Sequence, residues 1–388
     1  MRFKALDGWR GLCALMVALF HLPALTHFGA SPLVFHGYLY VDFFFVLSGY
    51  IIAFSYGEKL AVGGVGETRR FLIRRFGRLW PLHAATLGVL VAWEAVKAVA
   101  APGAGEVAPF THGRGLVEIL TNLLMVQGLG VHGSLTWNAP AWSISVEFAA
   151  YILFALVSLV APRRVTLVAA AFVVAGLAVV GVQVGHMDTT FDFGLFRALA
   201  GFFLGVLVRK APPARLSGGA AATAETVVFA GVLAFVALAT GLAQLAAPFV
   251  FAVAVWVFAA EGGPVSAALK TAPLQALGTW SYSVYLVHYP VTVGVGVARK
   301  LAERVLHVDV SAPVATASGP LQVLSFRPMI VTDLAAVAYL AVVIGLAALT
   351  YRFIETPGRN LFNRLAARDA ARNSPRATEP ARAIEAEP

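Results

Sequence analysis

Cysteine and charge are both scarce in this sequence of 388 residues. Cys13 is the single cysteine, which excludes an internal disulfide and a thiolate metal cluster. Charged residues make up only 13% of the chain and hydrophobic residues 59%, so an integral membrane protein is predicted rather than a soluble domain. HExxH, P-loop and GxSxG motifs are also absent, which leaves the zinc peptidase, P-loop and α/β-hydrolase chemistries without support.

Apolar runs bounded by glycine, proline or charge predict about ten membrane spans. The predicted fold class is therefore all-α, a polytopic transmembrane helical bundle. Residues 1–365 are expected to form this domain, and residues 366–388, rich in Arg, Glu, Ala and Pro, a disordered cytoplasmic tail. The predicted spans lie near residues 9–28, 37–57, 79–100, 140–161, 164–185, 191–208, 225–242, 245–260, 274–297 and 329–354.

The formal net charge of +9 would by itself fit a nucleic-acid partner. The positions of the basic residues indicate membrane orientation instead. With an even number of spans and the N-terminus inside, 22 of the 29 Lys and Arg fall in cytoplasmic segments. We therefore predict the lipid bilayer as a partner, no nucleic acid, and both termini in the cytoplasm.

Two outer connections carry recognisable patterns. Apolar residues recur at helical spacing between positions 116 and 124, which predicts a short helix lying at the membrane interface. Charged residues of both signs occur between positions 299 and 309 and predict an amphipathic surface segment.

The first apolar segment contains two residues that are costly in a membrane span, Arg10 and His21. An ionisable side chain inside a span indicates a site or a pathway by default. The separation of eleven residues places them within about 20° of each other around the helix axis and about 16 Å apart along it. One helix face therefore carries a guanidinium near its cytoplasmic end and an imidazole near mid-depth.

Two other spans contain carboxylates. Asp42 stands among phenylalanines in the second span, and Glu147 lies seven residues into the fourth. Helix rise places Glu147 about 10 Å and His21 about 13 Å below the outer surface, so we expect His21, Asp42 and Glu147 to converge in the outer half. The alternative is structural, because a carboxylate here can also lock helices together by hydrogen bonding to Trp or His side chains.

Arginines mark the predicted cytoplasmic mouth. Arg75 and Arg78 lie three apart, on one helical face, where the third span enters the membrane. Guanidiniums at such a mouth suit phosphate groups, and this functional interpretation is preferred for Arg75 and Arg78. Membrane orientation and lipid headgroup binding are the preferred explanation for Arg69 and Arg70. Glu355, at the end of the tenth span, is predicted to form a helix-end salt bridge with these arginines, and Arg197 to be the counter-ion of a buried carboxylate.

The ninth span carries a polar stripe on an apolar helix. Ser281, Tyr285 and His288 follow i, i+4, i+7 spacing, with Tyr282 beside them. A single helical histidine serves packing as often as chemistry, so both interpretations of His288 stay open.

Together these segments resemble the membrane acyltransferase-3 family of O-acyltransferases over nearly the whole chain. The most diagnostic family feature is an arginine and a histidine separated by ten residues in the first span, matched by Arg10 and His21. One departure is Phe148, where many members carry a second glutamate. The resemblance is to the membrane domain alone, without the soluble SGNH domain that some members append. The other matching segments are GYLYVDFFFVLSGYII, RRFGRLWP, WSISVEF and SYSVYLVH.

The resemblance implies transfer of an acyl group, often acetyl, from acyl-CoA to a hydroxyl of a carbohydrate, glycolipid or other acceptor at the bacterial cytoplasmic membrane. Acyl-CoA would be a co-substrate, with no permanently bound cofactor and no metal. His21 is expected to act as general base or as transient acyl carrier. The predicted sets are catalytic His21, Arg10, Glu147 and Asp42; donor-binding Arg75, Arg78 and Arg10; and acceptor-binding or supporting Trp142, Ser145, Arg197, Tyr282 and His288.

A proton-coupled transporter or exporter is the rival class, because it also requires buried carboxylates, histidine and arginine across a membrane. The sequence shows neither the internal repeat nor the matching pair of broken helices that such transporters carry. The enzyme interpretation is therefore preferred.

Overall fold

The computed structural model describes residues 2–100, 108–316 and 319–373. The described chain is almost entirely helical, with one antiparallel hairpin formed by β1 (Ser311–Thr316) and β2 (Gly319–Leu324). A π-helical turn, Tyr351–Glu355, joins the last two helices. The helices are α1 (Lys4–Phe20), α2 (His27–Ala30), α3 (Pro32–Phe35), α4 (Tyr40–Ala100), α5 (Leu116–Leu123), α6 (Trp142–Val160), α7 (Val165–Gln183), α8 (Gly194–Lys210), α9 (Gly218–Leu238), α10 (Ala247–Phe258), α11 (Pro264–Leu269), α12 (Ala272–Leu306), α13 (Met329–Thr350) and α14 (Thr356–Asn373).

Each of the ten predicted spans overlaps with one of these helices or with one arm of α4. Within the described residues, six helical stretches are long and apolar enough to cross a membrane, which supports an all-α membrane protein. Ten crossings and two cytoplasmic termini stay predictions. The six stretches are Gly37–Val99, Ala139–Val160, Pro162–Gln183, Gly218–Leu238, Gly241–Phe258 and Met329–Asp369.

Helix α4 is bent into two arms at Gly64, whose backbone has φ 59° and ψ −157°. Residues with a Cβ rarely adopt such a conformation, so glycine suits the bend. The arms fold back on each other, because the Tyr56 ring of the first arm contacts Phe71 and Arg75 of the second. The second span, the basic connection and the third span are therefore one bent helix.

Two helix pairs pack with their backbones in close contact. A Cβ on Gly278 of α12 would lie 2.2 Å from the Asp7 carbonyl oxygen of α1, and one on Gly49 of α4 would lie 1.8 Å from the Phe202 carbonyl oxygen of α8. Small residues allow such approach where a membrane offers no hydrophobic drive between helices. The pair α1 and α12 forms the frame of the site described below.

Several boundaries differ from the sequence predictions. Helix α1 ends at Phe20 instead of continuing to residue 28, and His21 is its C-terminal cap. Helix α12 continues to Leu306, so the predicted amphipathic segment at 299–309 is mostly the end of a long helix. The hairpin that follows was not predicted at all.

The predicted short helix is confirmed as α5, while its position at the membrane interface stays a prediction. At the other end of the chain, α14 extends to Asn373, so residues 366–373 of the expected tail are helical. Residues 374–388, the rest of that tail, lie outside the described residues.

Candidate active site

A cavity of about 170 Å³ lies between α1, both arms of α4, α6 and α12. Three guanidinium groups line it, from Arg10, Arg75 and Arg78, together with the Glu147 carboxylate. We call the end of the bundle that holds this cavity the inner end, following the predicted orientation. The other polar side chains of its lining are Ser48, Ser143, Tyr151, Ser281, Tyr282 and Tyr285.

Arg10 is held against α12 by its neighbours. Its Nε and Nη2 donate to Ser281 Oγ at 3.2 and 2.9 Å, and Nη2 also donates to the Gly278 carbonyl at 3.1 Å. Nη1 forms an ion pair with Asp7 at 3.2 Å. The close contact of α1 with α12 thus fixes the direction of this guanidinium.

Arg78 forms an ion pair with Glu355, whose side chain is only 1% exposed. Ser283 Oγ donates to the other Glu355 oxygen at 2.8 Å. The guanidinium lies over the Tyr282 ring, with its carbon 5.0 Å from the centroid. The predicted pairing of Glu355 with an arginine of the inner mouth is confirmed. Glu355 is the last residue of the π-helical turn.

Arg75 differs from the other two arginines because no ion pair is found for it within the described chain. Its Nη2 donates to Tyr56 Oη at 3.2 Å, and its guanidinium stacks 5.1 Å from that ring. Its Nε is buried and has no hydrogen-bond partner among the described residues. Arg75 therefore brings a positive charge with an unused donor to the cavity lining.

Glu147 is bound by hydroxyl groups. Its Oε1 accepts from Ser48 Oγ at 2.6 Å and from Tyr151 Oη at 2.5 Å. Neither bond supplies a positive charge, so the nearest compensation comes from the arginines across the cavity.

A second chamber adjoins the cavity and shares Arg10 and Arg78 with it. Its volume is about 390 Å³. Arg2, Tyr351 and Arg359 also line this chamber. The two spaces together form a basic path from the inner end toward the interior of the bundle.

His21 lies outside both spaces, at the outer end of α1. Its ring contacts that of His288 on α12, with centroids 4.9 Å apart. The predicted common face is confirmed, because Arg10 and His21 both face α12, at Ser281 and at His288 respectively. The whole predicted stripe of Ser281, Tyr285 and His288 is buried.

The predicted convergence of His21, Asp42 and Glu147 is wrong. His21 Nδ1 lies 2.9 Å from the Val17 carbonyl oxygen, and that backbone group orients the ring. Both Asp42 oxygens are bound by Arg197, and Glu147 belongs to the inner cavity. The depth estimate failed because α1 ends at Phe20, which puts His21 at a helix end rather than at mid-span.

Asp42 and Arg197 form a buried ion pair, with side chains 0% and 1% exposed. Arg197 Nε and Nη2 donate to the two Asp42 oxygens at 3.1 and 2.8 Å, and Nη2 also donates to the Tyr38 carbonyl at 2.7 Å. The Trp142 ring packs on the guanidinium, 5.8 Å from centroid to carbon. The prediction that Arg197 is the counter-ion of a carboxylate is confirmed, and this ion pair joins α4 to α8.

Ser145 Oγ accepts from the Gly128 N–H at 3.1 Å and is buried, so it ties the loop before α6 to that helix. Sequence reasoning overlooked Ser48, Ser143 and Tyr151. Tyr151 lies four residues after Glu147, on the same helical face, and this spacing is the signal that was available.

The hairpin holds the segment that follows His21. The Leu25 N–H donates to the Leu324 carbonyl at 2.9 Å, and the Leu324 N–H donates to the Pro23 carbonyl at 2.8 Å. His27, two residues after Leu25, is also held, because its Nδ1 lies 2.6 Å from an Asp333 carboxylate oxygen of α13. The chain beyond His21 is therefore anchored to two other elements, which the sequence did not indicate.

Comparison with known proteins identifies the kind of molecule to which this arrangement belongs. Residues 3–352 match the acyltransferase domain family Acyl_transf_3. The chain belongs to this family. It is therefore an integral membrane acyltransferase, as the sequence resemblance predicted.

Individual relatives are distant. Acyltransferase MdmB of Streptomyces mycarofaciens is 25% identical over 325 residues, which cover 75% of this chain and 79% of that protein. Protein 2 in picA locus of Rhizobium radiobacter is 34% identical over 164 residues, 40% of this chain and 81% of that protein. BcsY of Komagataeibacter xylinus is 27% identical over 307 residues, 74% of this chain and 72% of that protein. No solved structure matches the chain.

Proposed function

We propose that this enzyme transfers an acyl group, acetyl in the simplest case, from cytosolic acyl-CoA to a hydroxyl of a carbohydrate or glycolipid. The observation that carries the proposal is the distribution of basic side chains between the two ends of helices α1 and α12. Three guanidiniums gather at the inner end of α1 and α12, and two imidazoles meet at the outer end.

The donor would bind from the inner end. Its nucleotide and phosphates suit the second chamber, where Arg2 and Arg359 supply positive charge and Tyr351 an aromatic ring. Arg75, with its unused Nε donor, is the arginine of the inner cavity best prepared for an anionic or carbonyl group. The long pantetheine arm would then follow α1 from Arg10 toward His21, a distance of about 16 Å along the helix.

His21 would act as general base on the acceptor hydroxyl. A backbone carbonyl only accepts hydrogen bonds, so the contact with Val17 assigns the proton of the neutral ring to Nδ1 and leaves a lone pair on Nε2. Nε2 takes the hydroxyl proton while the hydroxyl oxygen bonds to the thioester carbonyl carbon. The carbon–sulfur bond then breaks, the thiolate of CoA leaves and receives the proton, and the acceptor keeps the acyl group.

The surroundings support an acceptor that arrives from the outer end. His21 is only partly buried, and it caps the outer end of α1. The basic clusters at helix ends support a cytoplasmic position for the inner end. A bacterial cytoplasmic membrane is the location that supplies both cytosolic acyl-CoA and surface glycans.

The test uses purified protein in lipid nanodiscs, radiolabelled acetyl-CoA and envelope glycans. We expect labelled glycan and free CoA from the wild type, and a loss of transfer by about 10²-fold or more in His21→Ala. His36→Ala is the matched control, because the Nδ1 of His36, like that of His21, bonds a backbone carbonyl, that of Val236. Failure of the wild type to release CoA with any acceptor would favour the transporter class instead.

A quench experiment separates the base from the acyl carrier. Wild-type protein is mixed with labelled acetyl-CoA without acceptor, quenched and digested. We expect no label on the peptide that contains His21. A labelled histidine there would overturn the general-base step and establish an acyl-histidine intermediate.

A further inference from the structure

The two imidazoles at the outer end form a pair that the proposed reaction uses only in part. His288 is fully buried, at 0% exposure. Its ring lies 4.9 Å from that of His21 between centroids, with an angle of 44° between the planes. The rings are in contact without a hydrogen bond between them in the described structure, and a small shift of either ring would bring their nitrogens within hydrogen-bonding distance.

Both rings use the same nitrogen for the backbone. His288 Nδ1 lies 3.3 Å from the Val284 carbonyl oxygen, just as His21 Nδ1 lies 2.9 Å from that of Val17. Carbonyl oxygens only accept, so each neutral ring carries its proton on Nδ1 and a lone pair on Nε2. The Nε2 of His288 is buried and has no hydrogen-bond partner among the described residues.

An unpaired acceptor in a buried site costs free energy, so its presence calls for a reason. In the resting state both Nε2 atoms are acceptors, and neither can donate to the other. Once one ring gains a proton on Nε2, that N–H becomes a donor, and the other Nε2 becomes its partner. The orphaned atom is therefore satisfied only in the state that forms during proton transfer.

We propose that His288 is a positioning residue that accepts a hydrogen bond from the imidazolium of His21 and thereby stabilises it while the acyl group moves. This inference rests on the proposed function of His21. The acceptor hydroxyl loses its proton to His21 Nε2. Once the hydroxyl oxygen has bonded to the acyl carbon, a shift of the His21 ring turns the new N–H bond to His288 Nε2. When the carbon–sulfur bond breaks, the proton passes from His21 to the departing thiolate, and both rings return to their neutral forms.

The backbone around His288 is held by three helices, which keeps the ring in place. Thr292 Oγ1 donates to the His288 carbonyl at 2.9 Å. Tyr339 of α13 donates its hydroxyl to the Ala18 carbonyl of α1 at 3.1 Å and contacts Thr292 Oγ1 at 3.1 Å. The Tyr285 ring packs on the imidazole with a centroid distance of 5.9 Å. Helices α1, α12 and α13 therefore meet at the pair.

The experiment compares His288→Gln and His288→Ala with the wild type. The glutamine oxygen can accept the hydrogen bond but cannot take up a proton, whereas alanine does neither. We expect kcat to fall about tenfold in His288→Gln and about 100-fold in His288→Ala, with the KM for acetyl-CoA unchanged in both. Because the donor binds at the inner end, an effect confined to KM would contradict the proposal, as would wild-type kcat in His288→Ala.

His83→Gln is the matched control. His83 is likewise fully buried, bonds a backbone carbonyl through Nε2 and leaves Nδ1 without a partner among the described residues, but no imidazole contact is found for it there. We expect its kcat to stay within about twofold of the wild type. A loss of kcat equal to that of His288→Gln would reduce the effect to the general cost of changing a buried histidine.

A second measurement reports the pair without catalysis. Protein labelled with ¹⁵N in its imidazoles is studied by NMR as wild type, His288→Gln and His83→Gln. We expect the His21 ring nitrogens to shift in His288→Gln only. Unchanged His21 signals would overturn the pair itself, and shifted signals with normal kcat would overturn its part in transfer. A wild type without transfer activity would instead overturn the proposed function.

Discussion

Water has no access to either side chain of the Asp42–Arg197 ion pair, at 0% and 1% exposure. Removing one partner of such a pair leaves an uncompensated buried charge, which costs about 3–5 kcal/mol. We expect Arg197→Met to lose that much stability. Replacing both partners with apolar residues of similar size is often neutral, so Asp42→Leu/Arg197→Met should recover at least about 2 kcal/mol of the loss.

The comparison is internally controlled. Arg197 also donates to the carbonyls of Thr189 and Tyr38, at 3.2 and 2.7 Å, and both variants lose those bonds equally. The difference between them therefore isolates the unpaired Asp42 carboxylate. Arg209→Met on the same helix is the control, since Arg209 stacks on Phe54 and should contribute no more than about 1 kcal/mol.

The assay is equilibrium unfolding of purified protein in mixed detergent micelles, with acyl transfer measured on the same samples. A double variant no more stable than Arg197→Met would refute the reasoning. The transfer activity of the same samples tests whether Asp42 has a catalytic role. If Asp42 only locks α4 to α8, the double variant keeps transfer, whereas loss of transfer in a stable double variant would restore the catalytic role first predicted for Asp42.

Two further comparisons follow from the site and from the packing. Arg75→Gln should raise the KM for acetyl-CoA about tenfold without loss of stability, since one charge-assisted hydrogen bond is worth about 1.5–3 kcal/mol. Arg78→Gln should also lower the thermal unfolding midpoint, because it leaves the buried carboxylate of Glu355 without its ion-pair partner. Steady-state kinetics and thermal unfolding together decide this, and equal stability of the two variants would contradict the assigned pairing. Gly49→Ala should prevent stable folding, because its Cβ would meet the α8 backbone at 1.8 Å, whereas Gly57→Ala, with nothing within 4 Å, should fold normally. Size-exclusion profiles after extraction measure both, and a monodisperse Gly49→Ala would argue against the close contact of α4 with α8.

Much of the fold could be predicted from the sequence because membrane helices are recognisable by their long apolar runs. A helix was found at each of the ten predicted positions, and α5 was found where the apolar spacing predicted it. The bend at Gly64 and the hairpin were not foreseen. A glycine in a basic connection resembles many other loop glycines. The two strands are short, and the side chains of β2 are mostly exposed without alternation.

The sequence predicted which residues line the candidate site more successfully than it predicted which residues contact each other. Arg10, Arg75, Arg78 and Tyr282 do line one cavity. The partners of the carboxylates were the weak point, because a partner depends on the depth at which each helix starts and ends. A difference of one helical turn, about 5.4 Å, is enough to exchange one partner for another.

The Glu147 carboxylate shows what this dependence means for function. A depth counted from Pro140 put Glu147 level with His21, yet it lines the cavity that holds Arg10. Its hydroxyl partners, Ser48 and Tyr151, supply no charge, so Glu147 can respond to the guanidiniums across the cavity. A donor that brings its own anionic groups to those arginines would compete with Glu147 for them. Donor binding at the inner end would therefore weaken the attraction that the same three positive charges exert on Glu147.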